Sequence, residues 1–258
     1  MTVHAPDLTS TTRLPSLSLA HPLVQSLPNG HVLVVGARSK WRPEGADRNA
    51  IVYDSAGVVV AEHTVGDGIE HVQATPRGEI WVGYFDEGIY GNYGWGEPDG
   101  EPPMGACGLT RFSAAFTQEW RYPSHVDNTW GAISDCDALN VDGDTVWTCY
   151  YNKFPIVRIQ NDTLTGWHNN VYGARALAVG GSGIALFGGF GPEHDRLVVG
   201  VLSDDRFLVT SEYRLVQPSG QPLPATAHVV GRGPDLHLFV DDDWSRLNID
   251  DLAVGLPH

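Results

Sequence analysis

Basic residues are scarce: Lys+Arg number 16 against 31 Asp+Glu, and the 258-residue chain carries a formal net charge of -15. Attraction to phosphate needs a basic face, so non-specific binding to nucleic acid or to an anionic membrane is not expected. Small-molecule ligands, cations, metals and basic protein partners stay open, and the acids also serve solubility. Long apolar runs are missing; none approaches the roughly 20 residues that span a bilayer. The opening MTVHAPDLTSTTRLPS has neither a basic n-region nor an apolar h-region, so no signal peptide is expected. Cysteine is limited to Cys107, Cys136 and Cys149, an odd set without zinc spacing, which predicts reduced thiols and a cytoplasmic protein. Helical periodicity is nearly absent. Gly180-Gly181-Ser182-Gly183 runs into IALFGGFG, a strand pattern where a dinucleotide loop needs a helix. There is no G-x-S-x-G elbow, and Asp241-Asp242-Asp243 lacks an EF-hand frame.

What is present is a repeated β-hairpin. Between Ile69 and Gly91, a short run ending at Ala74 meets a turn at Thr75-Pro76-Arg77-Gly78, then a β-branched and aromatic run to Phe85. Proline presets one turn dihedral and glycine accepts a positive φ. The unit returns over Cys136–Tyr150 around Asp142-Gly143, with Trp147 where the first has Trp81. It returns again over Ala174–Phe190, Thr226–Val240 and Val24–Gly36. Five such copies, each with further strands, predict an all-β, five-bladed β-propeller over 1–258 as a single domain, with six blades as the alternative. The last copy has three strands of its own. The alternating Arg13–Ala20, RLPSLSLA, is therefore expected to close the ring as its fourth.

In such an architecture the long connections Arg38–Asn49, Asp86–Cys107, Tyr122–Ile133 and His168–Gly173 fall on one face. Long loops on a rigid scaffold concentrate binding. These carry Trp41, Tyr90, Tyr93, Trp95 and Trp130 as candidate substrate-binding rings, beside Asp86, Glu87, Asp127 and Asn128. Rings beside carboxylates suit sugars, cations or planar molecules; packing of the loops onto the blades is the plain alternative. The first strands open on this face with His71, Asp137, Arg175 and His228, which register predicts to meet at the channel mouth as candidate catalytic residues. Backbone satisfaction near the axis is again the alternative. His71, His228 and Asp137 also compose a possible two-His, one-carboxylate site for a divalent metal.

Cys136–Ile159, CDALNVDGDTVWTCYYNKFPIVRI, resembles a blade signature of the gluconolactonase-type propellers, relatives of the lactonase and strictosidine-synthase-like folds. The resemblance covers one blade. It implies a propeller and, for Asp137, a part in a metal and acid–base site. This chain departs in reading Cys136-Asp137-Ala138-Leu139 and in its blade count, and the family's other metal ligands have no secure counterparts. Two functions follow. One is an enzyme of hydrolase or lyase type acting on a small polar or aromatic molecule, with His71 or His228 as acid or base, Asp137 orienting and Arg175 holding negative charge. The other is a non-catalytic, lectin-like or protein-interaction propeller. Channel residues that differ from copy to copy favour the first.

Overall fold

The computed structural model describes residues 2–4, 8–14, 17–124 and 129–252. The fold is an all-β, five-bladed β-propeller, and its chain gathers into two compact units, Met1–Ser124 and His125–His258.

The first unit opens with a hairpin, β1 (Thr2–His4) and β2 (Leu8–Thr11). Its first blade is β3 (Pro22–Ser26), β4 (Val32–Gly36), β5 (Ala50–Tyr53) and β6 (Val59–His63), hydrogen-bonded in that order. The second is β7 (Ile69–Ala74), β8 (Ile80–Tyr84), β9 (Leu109–Phe112) and β10 (Gln118–Arg121). The long insertion between β8 and β9 starts with a one-turn helix, α1 (Asp86–Tyr90).

The second unit holds three blades. They are β11 (Asp135–Asp142) to β14, with β12 (Thr145–Tyr151), β13 (Ile156–Gln160) and β14 (Thr163–Trp167). Then come β15 (Ala176–Gly180), β16 (Gly183–Phe187), β17 (Arg196–Ser203) and β18 (Arg206–Arg214). The last is β19 (His228–Arg232), β20 (Asp235–Val240) and β21 (Asp243–Asn248), followed by the short helix α2 (Ile249–Leu252).

The expected closing strand is a correction. Among the described residues of Arg13–Ala20 none is in a strand, and the last sheet has three strands; Pro15 and Ser16 lie outside the described residues. Leu14 and Leu19 instead pack against Val32, Val34 and Tyr53 of the first blade, and Ala20 O accepts from Ala37 N at 2.9 Å. Alternation announces one apolar face without saying which surface it covers.

The repeat has a physical content. Trp81 and Trp147 hold the same place in second strands, and each pairs across to an arginine on the third, Arg111 and Arg158. Each guanidinium lies over its indole, at 5.7 and 5.8 Å. A second indole joins each pair: Trp120 lies tilted at 5.1 Å from Trp81, and Trp167 stacks at 5.8 Å on Trp147. Such cation–π contacts add about 0.5–1 kcal/mol when exposed.

In the second unit, the period-2 alternation of strands splits one blade's side chains between two cores. Leu177, Ile184, Leu186 and Val198 join the core with Trp147, Ile156 and Phe154 of the preceding blade. Ala176, Ala178, Ala185, Phe187 and Leu197 join the core with Val229, Leu236 and Leu238 of the next. The first strands are stapled by one buried amide. Asn140 Nδ2 donates to Leu177 O at 2.8 Å and Gly233 O at 2.9 Å, while Asn140 Oδ1 accepts from Gly233 N at 2.9 Å. Its side chain thus reaches all three blades of the unit. Gly231 must be glycine there, since a Cβ would stand 1.7 Å from Leu177 O. Asn140→Ala takes the amide's bonds from Leu177 O and Gly233 N, while Gly233 O keeps Val179 N at 2.8 Å, and a stranded buried group costs about 1–3 kcal/mol. Urea denaturation is expected to show a loss of about 2 kcal/mol or more, whereas a neutral result would mean that water replaces the amide.

Candidate functional site

The two insertions of the first unit fold onto each other. Arg38 leaves β4 and is clamped by Asp67, whose carboxylate takes its Nε at 3.0 Å and Nη2 at 2.9 Å; Glu87 of α1 forms an ion pair with Nη1 at 2.6 Å. The Asp67 side chain is almost wholly buried, and removing one partner of such a pair is far costlier than the pair is worth. Asp67 also accepts from Ser39 N at 2.7 Å. Trp95 is buried, and its Nε1 donates to Ser39 O at 2.8 Å. Trp41 N donates to Tyr93 O at 3.0 Å. Farther along, Gly105 lies so close over the Tyr84 ring that a Cβ would come within 2.4 Å of it. The Arg38–Asn49 loop is itself pinned: Asp47 N donates to Lys40 O at 2.9 Å, and Lys40 N to Asp47 Oδ2 at 3.0 Å. Asp47 also pairs with Arg42, whose bond holds its carboxyl below the usual range.

Two clefts open where these loops meet. One, about 500 Å³, is lined by Arg38, Lys40, Arg42, Asp47, Arg48 and Tyr93 among others. The other, about 480 Å³, shares Lys40, Arg42 and Tyr93 and adds Trp41, Asn92 and Glu97. The Tyr93 ring is half exposed, with the Arg38 guanidinium 4.4 Å from its centroid. On the first blade's outer strand, His63 stacks on Phe116 at 4.2 Å. Burial, and then the charge of Arg48, hold the imidazole below its ordinary pKa.

The rings and polar residues singled out by sequence divide as follows. Trp41 and Tyr93 line the clefts. Trp95 supports them from beneath instead of lining them, because its ring is buried. Tyr90, at the end of α1, is exposed. Trp130 belongs to the second unit, where it packs over Gly166 and lies 5.2 Å from the His168 ring. Asp127 and Asn128 lie outside the described residues.

His71 sits on β7 opposite Gly83, just past a bulge. In the second unit, Asp137 is half-buried in a bulge of β11. Burial first, and then the Asp137 charge, push the neighbouring Cys149 thiol far up, which leaves it an inert core group. Arg175 donates to His194 O at 3.0 Å, with its guanidinium 5.9 Å from the Phe187 ring. His228 opens β19 with its ring 6.1 Å from its cross-strand partner Phe239, which stacks in turn on Trp244 at 6.4 Å. Among the described residues no group of three or more His, Cys, Asp or Glu is placed to hold a metal ion, so no such group stands behind the two-His, one-carboxylate option. What the sequence reading passed over is the cluster Arg38, Lys40, Arg42 and Arg48. Its signal was the crowding of cations in one loop of an acidic chain.

No family model matches the sequence, and no curated protein does. Solved structures share its fold. U3-55K is 8% identical with a TM-score of 0.51, over 90% of this chain and 64% of that one, so this chain spans less than two thirds of its length. A functionally unknown protein from Desulfotomaculum acetoxidans is 10% identical with a TM-score of 0.53, over 96% and 74%. A chain from Bacteroides uniformis, provisionally a 6-phosphogluconolactonase, is 12% identical with a TM-score of 0.47, over 94% and 70%. At these identities the likeness is one of fold alone.

The His63 environment predicts a pH dependence. Its folded pKa lies below the ordinary 6.5, so below that pH the unfolded chain binds more protons than the folded one. Stability is full above the ordinary value and falls as pH drops from it toward the folded value. Denaturation at about pH 7.5 and about pH 5.5 should show a smaller drop for His63→Phe than for the wild type. His237, also lowered by burial, should leave a remainder.

Proposed function

We propose that this chain is a ligand-binding propeller that takes a small polar or aromatic molecule in the paired clefts of its first unit. The observation that carries the reading is the pinned junction of two insertions, which sets the Trp41 and Tyr93 rings and several cations around contiguous cavities of about 500 and 480 Å³. Ligand sites combine such concavity with a few fixed polar groups. Arg38 and Trp95, spent on Asp67, Glu87 and Ser39, make the cleft rigid before a ligand arrives, which lowers the ordering cost of binding. Trp41→Ala and Tyr93→Ala should each weaken binding of ring-bearing probes such as phenol about tenfold, by isothermal titration or ligand-observed NMR. Unchanged binding in both variants would move the site elsewhere.

A second reading is a hydrolase or lyase using His71, Asp137, Arg175 and His228. The observation in its favour is Asp137, a half-buried carboxylate set in a strand bulge, a place where strands re-aim functional side chains. Single alanine substitutions of His71, Asp137 and His228 distinguish the cases. Loss of a hydrolytic or eliminating activity at an unchanged melting temperature supports the enzyme; loss of folding alone supports structural roles.

A further inference from the structure

The clefts say more about their ligand than its size, if the binding reading above holds. We infer that the ligand carries an oxyanion, a phosphate or carboxylate, next to a flat ring, and that Lys40 and Arg48 recognise the oxyanion.

Four cations line the larger cleft, but Arg38 is neutralised by Asp67 and Glu87, and Arg42 by Asp47. Lys40 and Arg48 are both exposed, and among the described residues neither takes part in an ion pair, although the Asp47 carboxylate, paired by Arg42, also feels the Lys40 charge. Two unspent cations on one cleft are notable in a chain with a net charge of -15, where spare carboxylates are plentiful. Their placement is also fixed. Besides the two bonds between Lys40 and Asp47, one of them to the Asp47 carboxylate, Asp47 O accepts from Ser39 Oγ at 3.1 Å and from Thr64 Oγ1 at 2.8 Å. Just beyond Arg48, the buried Asn49 side chain donates to Gly36 O and Gly66 O, each at 2.8 Å, and accepts from Val65 N at 3.1 Å. The loop therefore presents Lys40 and Arg48 from a braced backbone, and a guanidinium beside an ammonium suits an oxyanion's several acceptor oxygens. The ring requirement comes from Tyr93 and Trp41: one face of Tyr93 is taken by Arg38, and the ring is still half exposed.

The test uses the full chain with phenyl phosphate, benzoate, inorganic phosphate and phenol as probes, read by isothermal titration. Phenyl phosphate should bind most tightly and phenol at least about tenfold more weakly. The double variant Lys40→Ala, Arg48→Ala should lose about tenfold or more for phenyl phosphate and benzoate while leaving phenol unchanged. Its melting temperature should match the wild type, since neither side chain holds another element; if it does not, Lys40→Gln with Arg48→Gln repeats the comparison. If phenol matches phenyl phosphate, or the double variant binds the anions undiminished, the oxyanion inference fails. In that case a loss in Trp41→Ala and Tyr93→Ala would leave the cleft reading standing. If no probe binds at millimolar concentration, both fail.

Discussion

The second unit depends on one side-chain amide. Where first strands crowd together, their outward-facing backbone groups lose water before any strand can pair with them. Asn140 resolves this for three blades with one donor pair and one acceptor, and Gly231 lets the strands come close enough for it to do so. An apolar residue at 140 would fill the space and leave Leu177 O and Gly233 N without the amide, at about 1–3 kcal/mol for each stranded group. A charged one would add desolvation on top. The first unit meets the same problem with Gln25, whose Oε1 accepts from Ala74 N of the adjacent blade at 3.2 Å, and with Asn49 at the base of its insertion. Side-chain amides, two of them buried, tie neighbouring segments of these blades together.

Charge is used differently in the loops. Arg38 is paired on both sides, half over Tyr93, and its carboxylate partner Asp67 is nearly inaccessible. A buried pair of this kind gives little net stability over an apolar substitute, but it fixes geometry, because every alternative arrangement leaves a carboxylate desolvated and alone. Its product is position: the 38–49 loop and the Tyr93 turn cannot slide past one another without breaking it. A cleft of constant shape follows from that constraint.

Most strands were legible because alternation and turn chemistry agree at each of the five hairpins. The hairpin expected over Cys136–Tyr150 around Asp142-Gly143 is formed by β11 and β12, which pair as far as Asp142 and Thr145. Arg13–Ala20 misled because its alternation is real while its partner is not a strand edge; Leu14 and Leu19 lie on an already complete sheet. The candidate site was legible only in part. Register along a strand tells how far a residue stands from a turn, but not where a long side chain ends. Arg175 spends its guanidinium on a neighbouring loop carbonyl, and His228 rests on its own sheet's aromatics. The charged insertion was visible as a run of cations, yet which of them are neutralised depends on Asp67, almost thirty residues away from Arg38, and on Glu87. No local pattern encodes that pairing.

An acidic protein that binds an anion faces two electrostatic effects of opposite sign. The net charge of -15 repels the ligand at long range, and Lys40 and Arg48 attract it at contact. The two act over different distances. At physiological salt the Debye length is about 8 Å, so charges spread over the protein's surface are largely screened before the ligand reaches the cleft. A contact at about 4 Å lies inside that length, where a unit pair at an effective dielectric of about 20 is worth about 4 kcal/mol before desolvation is subtracted. Local attraction therefore decides occupancy, while the distributed acids slow the approach of anions to every other surface. Concentrating unspent cations at one rigid junction, in a chain that otherwise surrounds itself with carboxylates, gives selectivity through place as much as through chemistry.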